Sequence, residues 1–82
     1  MSLLHTIQSL STRYSEEVIF FRRHLHANPE LSYQEFATAK FIADTLKGFG
    51  LKPQEGIAHT GVVVLIEGKN PTKKVIALRA DI

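Results

Sequence analysis

Two arginines and two histidines fall within five residues, Arg22-Arg23-His24-Leu25-His26, and Pro29 and Glu30 follow closely. Histidine and glutamate serve as metal ligands and as general bases, so the cluster raises a metal site first. Its spacing argues against one. Apolar residues at Leu3, Leu4, Ile7, Leu10, Tyr14, Val18, Phe21 and Leu25 recur every three or four positions, which predicts a helix running through the cluster. Residues two apart on a helix diverge by about 200°, whereas helical ligand pairs stand three or four apart. His24 and His26 are therefore expected on different sides, one beneath the Pro29 turn and the other meeting solvent or a terminal carbonyl. Arg22 and Arg23 occupy the last turns of the same helix, where its dipole favours cations, and a solvated or locally paired role is expected for them ahead of anion binding. Glu30 is expected to hydrogen-bond the turn backbone. His5 and His59 are expected at the surface.

A second candidate stands at the other end of the chain. Asp81 directly follows the apolar run Val75–Leu78 and Arg79-Ala80. That is the C-terminal end of a strand, where open α/β sheets gather their binding and catalytic groups. A functional role and a helix-cap or loop role both fit the position. Arg79, two residues earlier, points to the same side of an extended chain and needs a partner, which Asp81 can supply.

The elements that must position these residues can be read in order. The first helix, about seven turns long, should break near Ala27, because Pro29 disfavours helical backbone at Asn28. Ser9, Ser11 and Thr12 weaken its first third. Ser32 and Glu35 spell the S-x-x-E capping box of a second helix, with Phe36, Ala39, Ile42, Ala43, Leu46 and Phe49 on one face. Gly48 or Gly50 supplies its left-handed stop. Gly61–Ile66 and Val75–Leu78 are short β-branched runs, expected as strands covered on both faces, and Leu51–Gln54 is a further candidate strand. Gly68–Thr72 is a loop short enough to join antiparallel neighbours. The order is helix, helix, strand, strand, strand. The last strand is expected to want neighbours and covering helices that the sequence does not contain.

Composition bounds the function classes. A chain of 82 residues is one small domain or a piece of a larger one. Its 44% hydrophobic and 22% charged residues are ordinary for a globular protein. Ten basic against eight acidic residues give +2, too small a bias to call for nucleic acid or an anionic membrane as partner. Without cysteine there is neither a disulfide framework nor a thiolate metal site. No basic n-region or continuous apolar h-region opens the chain, and no run approaches the ~18 apolar residues of a membrane span. A cytoplasmic protein is the expectation.

The stretches "RRHLHANPELSYQEFATAKFI", "GFGL", "HTGVVVLIEG" and "VIALRADI" together resemble the N-terminal part of the metal-dependent amidohydrolases that include hippurate hydrolase, N-acyl-amino-acid amidohydrolases and auxin-conjugate hydrolases. The resemblance runs from about Ile7 to Ile82. Arg23, Leu25, His26, Pro29, Glu30, Leu31, Ser32 and Glu35 match the R-x-L-H-x-x-P-E-L-S-x-x-E signature. Arg79-Ala80-Asp81 matches the start of R-A-D-[MI]-D-A-L-P, cut here after Ile82.

The resemblance implies an α/β fold: two N-terminal helices followed by the first strands of a mixed sheet, within an incomplete α/β/α zinc-peptidase-like catalytic domain. Residues 1–82 would be the N-terminal portion of that domain. It implies two divalent metal ions (zinc, manganese, cobalt or nickel) in the parent enzyme, held by a Cys-x-His pair, a Glu and further histidines beyond the cut motif. A neighbouring Glu would act as general base on metal-bound water attacking an N-acyl amide. None of these groups lies in this chain, so no catalytic residue or metal ligand is expected within it. Asp81 aligns with a metal-binding His of sister branches and is expected beside the metals rather than as a ligand. Arg23, His26, Pro29, Glu30, Ser32 and Glu35 are expected as a scaffold signature. The implied partners are an N-acyl amino acid substrate and further copies in a homo-oligomer, with no nucleic acid and no membrane. The alternative is a standalone small α/β interaction or binding module without catalysis.

Overall fold

The computed structural model describes residues 2–82. Helix α1 (Leu3–Ala27) runs unbroken through the serines and threonines of its first half. Ser2 caps it: the His5 amide donates to Ser2 Oγ at 3.1 Å, satisfying one of the donors a helix start leaves free. The expected weakness around Thr12 is absorbed locally, since its hydroxyl donates to the Gln8 carbonyl at 3.1 Å. The helix ends where Pro29 demands it. Asn28 closes the last turn, its amide donating to the Leu25 carbonyl at 3.3 Å and its Nδ2 to the His24 carbonyl at 2.8 Å.

Helix α2 (Phe36–Gly48) forms, but not on the expected capping box. Glu35 takes the N-cap position and makes no side-chain cap hydrogen bond. Ser32 lies three residues short of it, in a turn closed by the Gln34 amide on the Leu31 carbonyl at 2.9 Å. Tyr33 gives that turn its shape at φ 63°, a left-handed conformation unusual for a bulky side chain. The turn carries the Ser32 hydroxyl away from the helix start. At the other end the glycine stop is as expected. Gly50, at φ 84°, donates to the Lys47 carbonyl at 2.9 Å while Leu51 donates to Leu46 at 3.1 Å, the paired bonds of a Schellman ending.

Strands β1 (Gln54–Ile57) and β2 (Gly61–Val63) make an antiparallel hairpin with Glu55 opposite Val62. Ala58 and His59, at φ 50° and 78°, turn the chain with the left-handed backbone that matches strand twist. Gly61 is required by close approach, because a Cβ there would meet the Ile57 carbonyl oxygen at 2.5 Å.

Three strand expectations are corrected. The candidate at Leu51–Gln54 is displaced to Gln54–Ile57, because Leu51 is committed to the end of α2. Only Gly61–Val63 of the run to Ile66 joins a ladder, and Val75–Leu78 joins none. Val64–Ile66 and Val75–Leu78 instead line one open cleft, and Leu78 is fully exposed. A strand apolar on both faces gains nothing by pairing unless something covers those faces, and residues 2–82 supply no such cover. The observed architecture is thus α/β in content: two helices and one two-stranded antiparallel sheet.

The core is thin. Ala43 and Thr38 are its buried residues, with α2 packed on the hairpin. Phe21 of α1 meets Phe41 of α2 edge-on at 6.1 Å between ring centroids. No helix among the described residues is long and apolar enough to cross a membrane.

Candidate functional site

Of the polar residues singled out by the sequence, the corner between α1 and α2 brings together His24 and Glu30, with Glu35 beside them. The His24 ring stacks on Phe41 with centroids 3.9 Å apart and planes 19° from parallel. His24, Leu25 and Asn28 face Ala37 and Thr38 across a cleft of about 250 Å³. His26, two residues on, is exposed. The helix therefore separates the two imidazoles, one held in an aromatic stack and the other in solvent.

Glu30 reaches over the turn rather than into it. Its Oε2 accepts from the Ala37 amide at 3.1 Å and its Oε1 from the Thr38 amide at 2.6 Å. These are free donors of the first turn of α2, where the helix dipole also favours a negative charge. The Thr38 hydroxyl first, and then the amides of Thr38 and Ala37, hold the Glu30 carboxyl below the ordinary carboxylate value. Glu30 thus does the capping work that the letters of Ser32 and Glu35 suggested. Glu35 accepts instead from the Gln34 amide at 3.0 Å and from the Thr60 hydroxyl at 3.4 Å, linking the helix start to the hairpin loop. Lys47 and Glu55 make a second link, α2 to β1, at 3.4 Å.

The remaining candidates stand apart. Arg22, Arg23, Pro29 and Ser32 are exposed, and among the described residues neither arginine forms an ion pair. Asp81 accepts from Arg79 Nη2 at 3.0 Å, with both side chains exposed and no strand beneath them. Among the described residues no three His, Cys, Asp or Glu side chains converge as a metal ion requires. Residues 2–82 do not fit a metal by themselves. What the corner does is mechanical: a carboxylate, an asparagine and an aromatic stack fix how α2 leaves α1.

Three contributors escaped the sequence reading, Asn28, Thr38 and Phe41. Asn28 carried a signal, since asparagine before proline at a helix end commonly caps it. Thr38 carried none, being one polar residue inside an otherwise regular helix.

The sequence of this chain is similar to that of known proteins along nearly its whole length. The chain is 42% identical over 82 residues to thermostable carboxypeptidase 2 of Saccharolobus solfataricus, covering 99% of this chain and 21% of that protein. It is 43% identical over 75 residues to the N-acyl-L-amino acid amidohydrolase of Geobacillus stearothermophilus, covering 92% and 20%. The similarity is to proteins named as amidohydrolases and carboxypeptidases. Hippurate hydrolase of Campylobacter jejuni extends the group, at 41% identity over 81 residues, with 99% of this chain and 20% of that enzyme covered. The chain spans about a fifth of the length of these curated relatives. No family model and no solved structure matches it.

Proposed function

We propose that this chain is the N-terminal part of a metal-dependent hydrolase that cleaves the amide bond of N-acyl amino acids. One observation carries the reading: 41–43% identity, along 92–99% of the chain, to proteins named as an N-acyl-amino-acid amidohydrolase and a hippurate hydrolase. In this reading residues 1–82 contribute the helical corner and the first strands of a zinc-peptidase-like α/β/α domain. The metal ligands and the general base lie in the remaining four-fifths of the protein, and Asp81 sits beside the metals. The exposed runs Val64–Ile66 and Val75–Leu78 support it physically, since they are apolar, β-branched and without sheet neighbours here. The whole protein would be cytoplasmic and homo-oligomeric.

A chimera tests this. The matching segment of the Geobacillus stearothermophilus amidohydrolase is replaced by this chain, and hydrolysis of N-acyl amino acids is followed alongside thermal melting. Turnover within about tenfold of the parent is the expected result. A chimera that melts cooperatively yet cleaves no N-acyl amino acid would refute the assignment.

A further inference from the structure

We draw no further inference here: the strongest candidate, the cleft of about 250 Å³ between α1 and α2 lined by His24, Leu25, Asn28, Ala37 and Thr38, belongs to the corner already described, and nothing in the structure shows what would occupy it.

Discussion

Residues 21–63 and residues 64–82 are both rich in apolar side chains, yet they meet opposite fates. In the first region His24 stacks on Phe41, Phe21 meets Phe41 edge-on, Ala43 is fully buried, and α2 packs on the hairpin. In the second, Leu65, Val75, Ile76 and Leu78 are between 75% and 100% exposed, and no ladder forms. The difference is not hydrophobicity but the range of the partners. The corner is built from contacts a few to some twenty residues apart, with caps supplied by neighbouring side chains. The later runs are strand material, and strands gain only when long-range neighbours pair their edges and cover their faces. The same physical reading lets the first region hold its shape within 82 residues and leaves the second waiting for cover.

That contrast can be broken from its buried side first. Ala43→Leu forces a larger side chain into the one fully buried apolar position among the described residues and should cost about 1–3 kcal/mol, read from the denaturant midpoint of the helical signal. An unchanged midpoint would mean that the corner is not packed. Gly50→Ala should cost about 1–2 kcal/mol, because φ 84° puts a Cβ against the following carbonyl and spoils the Schellman ending.

Acid should act on the same region through Glu30. Its carboxyl is held below the ordinary value of 4.5 by the Thr38 hydroxyl and the helix amides. The stabilisation is therefore complete above that value and fades as pH falls through the lowered one. Helicity of the chain should drop on acidification below pH 4.5, and Glu30→Gln should flatten that part of the profile. An identical acid profile in the variant would remove Glu30 from the cap. The smallest effects are expected where the sequence pattern pointed and the structure did not follow. Ser32→Ala and Leu78→Ala should each shift stability by no more than about 0.5 kcal/mol.

Much of the first region was legible. The spacing from Leu3 to Leu25 and the proline at 29 set the bounds of α1, and Gly50 announced the end of α2. The cap was not legible, for a concrete reason. Three acceptors, Glu30, Ser32 and Glu35, precede the helix, and only the left-handed backbone at Tyr33 decides among them. Tyrosine is not a residue whose type signals that conformation. The strands failed differently: a β-branched run states what a segment would do with partners, and says nothing of whether partners are near. Asp81 stands where that strand was expected to end, and residues 2–82 form no strand there.

Hydrogen exchange of the 82-residue chain, resolved to single amides, tests the division between the two regions most directly. Amides of α2 from Ala39 to Gly48 should exchange well below the rate of an unstructured peptide, and those of Val75–Leu78 at that rate. Protection at Val75–Leu78 equal to that of α2 would contradict the account, because it would show these residues finding within the chain the partners that the structure denies them.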